Sequence, residues 1–283
     1  MIEKILLAES GTGKAAEMLK TLMEIPTFKA ANVTVLHVVT PQTTTEAMTE
    51  KWEEGGKILA NTIQTLGLDP AKSNSVMRAG DPKDIVLRVA DEIDADLIIM
   101  GSRGLKRIQS ILENSVSQYV FQLASRTMLL VKDEIYIKKI NRIMVAMDKS
   151  EAAQETLRMA LNILRDIKGG QLILVHTNPD MKLKPDEIAK NAEEDPILIP
   201  AIAEAKRMGI PYKAVSPVGK PGERICQAAE ELNVDLLMLG SPDRRPSIAK
   251  GLPDLDRLLG QSLSDYVRVY ANCPVMLVRT AAA

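Results

Sequence analysis

Gly80-Asp81-Pro82, running on to Asp96-Leu97-Ile98-Ile99-Met100-Gly101-Ser102, returns later in the chain as Gly219-Lys220-Pro221 and Asp235-Leu236-Leu237-Met238-Leu239-Gly240-Ser241. The offset is 139 residues throughout, and Ala90 and Glu92 recur with it at Ala229 and Glu231. The only two histidines, His37 and His176, keep the same spacing. Further along, the offset becomes 147: Ser115, Tyr119, Val120, Ala124, Leu130 and Val131 answer to Ser262, Tyr266, Val267, Ala271, Leu277 and Val278. The second copy therefore carries eight extra residues between its fourth strand and its last helix. A repeat of this length is a duplicated domain, because solenoid units are far shorter. The domains are expected at residues 1–134 and 139–283, joined by a short charged linker from Lys132 to about Ile140.

Within each copy the pattern alternates between strand and helix. Ile5-Leu6-Leu7-Ala8 reads as a short buried strand, followed by a helix from about Lys14. Val33 to Val39 is the second strand, and a long helix is expected from about Thr44 to Leu66. A third strand lies near Ser75-Val76-Met77. Pro82 suits a helix start, where its missing N–H costs nothing, and Val86, Val89, Ala90 and Ile93 give that helix one apolar stripe. Leu97-Ile98-Ile99-Met100 is apolar on both faces, as a central parallel strand must be. Val116, Tyr119, Val120 and Leu123 mark the last helix, and Met128 to Val131 the last strand. Copy two repeats the series from Ile143-Met144-Val145-Ala146 to Val275-Met276-Leu277-Val278. Strands alternating with helices imply right-handed crossovers, so the expected fold is α/β, two doubly wound five-stranded parallel-sheet domains in tandem. Ligands of such sheets bind beyond the carboxyl ends of the strands, at the topological switch point.

Composition narrows the function classes. Hydrophobic residues make up 46% and charged residues 26%, the profile of a soluble globular protein. Lys and Arg number 36 against 37 Asp and Glu, a formal net charge of -1, so neither nucleic acid nor an anionic membrane is an expected partner. No apolar run is long enough to span a bilayer. The opening Met1-Ile2-Glu3-Lys4 does not read as a signal peptide. Cys226 and Cys273 are the only cysteines, so no disulfide framework can be argued. A cytoplasmic location is the expectation.

The segment after the fourth strand carries the most chemistry. Gly101-Ser102-Arg103-Gly104 is followed, nine residues after Gly104, by Asn114-Ser115-Val116-Ser117 opening a helix. A glycine lets backbone N–H groups approach a phosphate closely. A helix start offers free N–H donors and partial positive charge, and Ser115 and Ser117 add hydroxyls, which together make an anion site. The same residues also fit a plainer account, in which Asn114 or Ser115 caps a helix and Gly101 ends a strand. Ala8-Glu9-Ser10-Gly11-Thr12-Gly13-Lys14-Ala15 comes close to a P-loop, but Ala8 replaces the first glycine and Ala15 the metal-binding hydroxyl. His37 and His176 read as structural, since nothing supplies the further ligands of a zinc site, and Cys273 reads as core. No Ser or Cys with a positioned base is visible, so no catalytic residue is assigned.

Gly-Ser-Arg-Gly after Asp96 to Met100, the later Ser115-Val116-Ser117, Val35-Leu36-His37-Val38-Val39 and the closing Ala271-Asn272-Cys273-Pro274-Val275-Met276-Leu277-Val278 resemble the universal stress protein family, twice over nearly the whole chain. The resemblance implies a HUP, adenine nucleotide alpha hydrolase-like fold. Some members bind ATP and others do not, and many pair through the last strand. Binding members are similar to a Gly-x2-Gly-x9-Gly-Ser/Thr pattern, with an Asp after the first strand that holds the base.

Each copy departs from that pattern. Copy one keeps Gly101 and Gly104, but Asn114 replaces the third glycine and Ser10 stands where the Asp would be. Asn tolerates the left-handed backbone and caps helices well. Copy two has Asp148 at the base position, but its loop is altered. Counted forward from Gly240, Asp243 takes the second glycine's place; counted back from Ser262, Gly251 survives and the extra residues, with Arg244 and Arg245, precede it. The resemblance implies a tandem, nucleotide-responsive regulatory module that binds ATP or AMP, with or without Mg2+, in copy one and without substantial catalysis. Gly101, Gly104, Asn114, Ser115, Val116 and Ser117 would cradle phosphates with Arg103, Val38 and Met100 would line the base and ribose, and Glu9 or Ser10 would touch them. Asp148, Thr177, Gly240, Gly251, Ser262 and Ser264 form the corresponding second set. No metal site is expected. The two copies are expected to form a pseudo-dimer, with homodimerisation a further expectation. The alternatives are an interaction scaffold whose nucleotide sites have both decayed, and a P-loop-like ATPase.

Overall fold

Leu97-Ile98-Ile99 has no polar side chain to leave in water, and all three residues are fully buried. They form the middle of β4 (Leu97–Ser102), held between β1 (Lys4–Ala8) and β5 (Thr127–Lys132). The computed structural model describes residues 2–102, 115–136, 139–178, 192–242 and 262–280, and the chain divides into two units, Met1–Glu134 and Ile135–Ala283.

In the first unit β2 (Asn32–Val39) pairs with the other edge of β1, and β3 (Ser73–Ala79) with β2. All of these pairings are parallel, so the order is β3-β2-β1-β4-β5. The chain moves outward from β1 through β2 to β3, then crosses back to β4 and β5. The switch point therefore lies between the carboxyl ends of β1 and β4, where Glu9 and Gly101 sit.

The second unit has the same topology. β6 (Arg142–Ala146) pairs in parallel with β7 (Gln171–Val175) and β9 (Leu236–Pro242). β8 (Tyr212–Val215) pairs with β7, and β10 (Val275–Thr280) with β9.

The helices cover the sheets with their apolar stripes. α1 (Lys14–Met23) buries Ala15, Met18, Leu19 and Leu22, a helical spacing, and a short α2 (Pro26–Lys29) follows it. α3 (Thr45–Leu66) starts at Thr44, whose side chain accepts from Ala47 N, and ends at Gly67, whose φ of 59° suits a residue with no Cβ. Its Gly55 lies over β2: a Cβ there would be 2.7 Å from His37 Cδ2 and 2.8 Å from Met77 Sδ. α4 (Pro82–Glu92) has Pro at its first position and Asp81 as its cap, and α5 (Val116–Leu123) completes the first unit. The second unit carries α6 (Glu151–Arg165), α7 (Leu198–Arg207), α8 (Pro221–Glu231) and α9 (Leu263–Tyr270).

The recurrence of Asp96 and Asp235 has a structural cause. Asp96 Oδ2 accepts from Glu3 N at 2.7 Å and Lys4 N at 2.9 Å, and Asp235 Oδ2 accepts from Asn141 N and Arg142 N, both at 2.8 Å. Each carboxylate ties the start of its unit's central strand to the strand beside it, at the end away from the switch point. Three expectations shift. Lys132, placed in the linker, is the buried last residue of β5. β3 is longer than its central apolar residues suggested, because an edge strand needs only one strand to pair with. β4 runs on through Gly101 and Ser102, whose partners Val131 and Lys132 extend the ladder. Among the described residues no helix is long and apolar enough to cross a membrane.

Candidate functional site at the strand ends

At the end of β1 the chain turns through Glu9-Ser10-Gly11-Thr12-Gly13 before α1 begins. Gly11 and Gly13 have φ of 98° and 77°, a backbone open to glycine. Their N–H groups point inward, and Glu9 Oε1 accepts both, at 2.7 Å and 3.2 Å. Glu9 is buried, and among the described residues its Oε2 has no hydrogen-bond partner. The glycine-rich loop thus wraps the chain's own carboxylate, where a P-loop would wrap a phosphate. Lys14, the P-loop lysine of that reading, is paired with Glu17 at 2.8 Å. Ser10 is exposed.

His37 Nδ1 donates to the Glu9 carbonyl at 2.9 Å, and α3 covers the ring through Gly55. This histidine fastens the β1 loop to β2. Val38 is half-buried at the end of β2. Met100, also half-buried, sits opposite Ala8 on one side and Leu130 on the other. Among the described residues, a Cβ on Gly101 would meet only Thr12 Oγ1 at 3.7 Å and Asp133 Oδ1 at 3.9 Å.

The start of α5 lies on the same end of the sheet. Ser115 caps it, accepting from Gln118 N at 3.1 Å, and its Oγ lies 3.3 Å from that of Ser117, which is buried. Val116 is the first helical residue, and the first turn carries no acidic side chain. Gln118 is buried and neutral, with Oε1 unpartnered among the described residues. Arg103, Gly104 and Asn114 lie outside the described residues.

The second unit builds the same end of its sheet differently. Met147, buried, occupies the place of Glu9: its N–H donates to Val175 O, as that of Glu9 does to Leu36 O. Asp148 is exposed, and its Oδ1 accepts from Ser150 N at 2.8 Å. Ser150 caps α6 through Ala153 N. The first turn of that helix presses onto β9, and a Cβ on Gly240 would overlap the Ala152 carbonyl and lie 2.6 Å from Ala153 N. Gly240 is needed for packing, whereas among the described residues nothing lies closer than 3.7 Å to a Cβ on Gly101.

At the start of α9, Ser262 accepts from Asp265 N at 3.2 Å and lies 3.0 Å from the Ser264 hydroxyl. Ser262 Oγ also lies 2.6 Å from Asp265 Oδ2, to which it donates. Asp265 stands where Gln118 stands in the first unit, so a buried carboxylate already fills this helix start, with Arg268 Nε 3.9 Å from it. Gly251 and Asp243 lie outside the described residues.

His176 does not repeat the bond of His37. Its Nδ1 donates to Asp195 Oδ2 at 2.7 Å, Ser216 Oγ donates to the same oxygen at 2.7 Å, and Ile197 N donates to Oδ1 at 2.9 Å. Burial pushes the Asp195 carboxyl up, but the bonds from His176, Ser216 and Ile197, with the charge of His176, together hold it below its ordinary value. Because the carboxylate bridges the other two side chains, Ser216 has no hydrogen bond to the imidazole in this arrangement and is not activated as a nucleophile. The cluster joins the ends of β7 and β8 to the start of α7. Among the described residues no group of three or more His, Cys, Asp or Glu could hold a metal ion.

Sequence reading overlooked Asp195 and Ser216, which belong to no motif: Asp195 lies 19 residues from His176, and Ser216 lies 21 residues from Asp195. It also overlooked the contrast between Gln118 and Asp265, which the offset of 147 exposes when the copies are compared position by position.

A sheet of this order, duplicated, with a glycine ending the central strand and a serine-capped helix at the switch point, defines a class of tandem α/β proteins. The model of the Universal stress protein family matches residues 1–132 and again 139–279, and the chain belongs to that family. A universal stress protein of Bacillus subtilis is 28% identical over 148 residues, covering 47% of this chain and 100% of the relative. One from Methanothermobacter thermautotrophicus is 30% identical over 143 residues, covering 47% of this chain and 97% of its own. A solved structure from Archaeoglobus fulgidus, also a universal stress protein, matches the fold with a TM-score of 0.73 at 23% identity, over 98% of this chain and 96% of that one.

Proposed function

We propose that the chain is a regulatory module that holds one adenine nucleotide, ATP or AMP, at the strand ends of its first unit and does little or no chemistry on it. The observation that carries this reading is the contrast between two equivalent helix starts. That of α5 offers Ser115, Ser117 and neutral Gln118, with Gly101 uncrowded among the described residues, while that of α9 is filled by Asp265 beside a covered Gly240. Phosphate is stabilised by free N–H groups and the positive end of a helix, and opposed by a carboxylate already there. Gly101, Ser115, Val116 and Ser117, with Arg103, Gly104 and Asn114, would take the phosphates. Val38 and Met100 would line the base and ribose. Mg2+ would arrive with the phosphates. Equilibrium dialysis with radiolabelled ATP tests the reading: one nucleotide per chain is expected, and two equivalent sites would refute it.

One observation favours a second reading, an interaction scaffold with both sites decayed. Glu9 places a buried carboxylate at the mouth of the first unit's cleft, and Ser10 supplies no carboxylate for the base. Under that reading dialysis finds no bound ATP, and the purified native protein carries no nucleotide in its mass spectrum.

A further inference from the structure

The long helix α3 is seated on a sulfur atom. His37 and Met77 are register partners on β2 and β3, and Gly55 of α3 lies over both: a Cβ on Gly55 would be 2.7 Å from His37 Cδ2 and 2.8 Å from Met77 Sδ. The imidazole is pinned, because its Nδ1 donates to the Glu9 carbonyl at 2.9 Å. Met77 is half-buried on the edge strand, within reach of solvent. The same helix reaches the loop after β1, where a Cβ on Gly11 would meet Ile58 Cδ1 at 3.1 Å. In the second unit the same two places, at the offset of 139, hold His176 and Ser216. There Asp195 accepts from both side chains, so a polar group at the place of Met77 has a partner. In the first unit α3 presents Gly55, which has no side chain to offer one.

We propose that Met77 is an oxidation site whose sulfoxide loosens α3 from the sheet. A hydroperoxide transfers one oxygen to the thioether: the O–O bond breaks, an S–O bond forms, the sulfur gives up two electrons, and hydrogen peroxide leaves as water. The product is polar where the thioether was apolar, and it carries an extra oxygen into a place already too tight for a Cβ. That oxygen requires a hydrogen-bond donor. His37 Nε2 supplies none in the neutral ring, whose single proton is on Nδ1. The oxidised side chain therefore turns outward past β3 to be hydrated, and its packing on α3 is lost. Because α3 also touches the loop after β1 through Ile58, the loosening carries to residues 9–13. Ser216 has no sulfur to oxidise, so the second unit lacks the device at this place.

The test is hydrogen peroxide treatment of the full chain, read by peptide mass mapping and amide hydrogen exchange. Met77 is expected to gain one oxygen, and exchange across residues 45–66 to speed up by about tenfold, with a smaller rise over residues 9–13. Met77→Leu keeps an apolar side chain and should hold both segments at their untreated rates in peroxide. Met77→Gln, which sets a polar amide of similar length there, should reproduce the faster exchange without peroxide. The proposal is overturned if Met77 stays reduced while the half-buried Met23 and Met208 are oxidised, if Met77 is oxidised and exchange in α3 does not change, or if α3 loosens equally in Met77→Leu. Faster exchange in α3 with residues 9–13 unchanged would overturn the reach of the device to the loop.

Discussion

Gly101 and Gly240 end equivalent strands, and replacing each by alanine should have opposite consequences. At Gly240 the new Cβ would lie 2.6 Å from Ala153 N and overlap the Ala152 carbonyl. Ordinary contact needs about 3.4 Å or more, so the first turn of α6 must retreat by roughly 1 Å. That helix is anchored by Ala152, Ala153, Thr156, Leu157, Ala160, Leu161, Ile163 and Leu164, all buried, and cannot move without opening the core beneath it. The cost is at the top of the overpacking range, about 3 kcal/mol. For a unit of this size, 1 kcal/mol shifts Tm by about 2–4 °C, so a fall of roughly 6–12 °C is expected in the second unit's transition. At Gly101 the nearest atoms to a Cβ are 3.7 Å and 3.9 Å away, so Gly101→Ala should melt within about 1 °C of the parent. It should instead weaken ATP binding, because the methyl group takes up space that a phosphate would use. Differential scanning calorimetry of both variants beside the parent, with ATP titrations, decides the matter. A Gly240→Ala protein as stable as the parent, or a Gly101→Ala protein that loses several degrees, would show that the cleft geometry drawn from these two glycines is wrong.

Three further outcomes can be measured. Asp195→Ala removes the acceptor of three hydrogen bonds and should cost about 2–3 kcal/mol in urea melts at pH 7; because the Asp195 carboxyl is held below its ordinary value, its contribution is complete above about pH 4 and fades as pH falls through the lowered value, so the gap between variant and parent should narrow in acid. A gap of equal size at pH 7 and in acid below the lowered value would exclude the carboxylate as its source. Glu9→Gln takes a negative charge from the first unit's cleft and should tighten ATP by about fivefold, the effect of one carboxylate acting across partly solvated space; weaker binding would mean that Glu9 assists the ligand. Steady-state assay with excess ATP and Mg2+ should give turnover far below the roughly 10 per second of typical enzymes, and turnover near that pace, abolished by Lys14→Ala, would revive the P-loop ATPase.

The fold was legible because the signals that decide it are local and occur twice. Leu97-Ile98-Ile99 is apolar on both faces, as a central strand must be, and its echo at Leu236-Leu237-Met238 showed that the fold occurs twice. The site was legible only where backbone geometry is its substance: Ser115 and Ser262 cap their helices as helix-start serines do. Charge placement was harder to see. The resemblance implies that Glu9 or Ser10 touches the ligand; it does not reveal that Gly11 and Gly13 donate their N–H groups to the Glu9 side chain. No periodicity records that closure. Asp195 was invisible for a different reason, since its partners come from the ends of β7 and β8 and meet it only when the sheet has formed.

Several exchanges of charge and polarity between the units fall in one layer. Equivalent core strands keep apolar residues, and equivalent latches keep Asp96 and Asp235, whose task is the same in both. The exchanges fall at the carboxyl ends of the strands and the helix starts above them: Glu9 for Met147, Ser10 for Asp148, Val38 for Thr177, Gln118 for Asp265. A core position resists change because a misplaced methylene or an unpaired polar atom costs stability directly. A strand-end position facing solvent or ligand is free of that constraint, so charge can be gained or lost there without unfolding the domain. Two of the exchanges, however, place ionisable side chains in buried surroundings, Glu9 in one unit and Asp265 in the other. Burying a carboxylate is unfavourable unless hydrogen bonds compensate, and each of these has recruited donors from its own loop or cap to do so. Glu9 and Asp265 therefore place buried negative charge at different points of the two clefts, Glu9 within the loop after β1 and Asp265 at the start of α9.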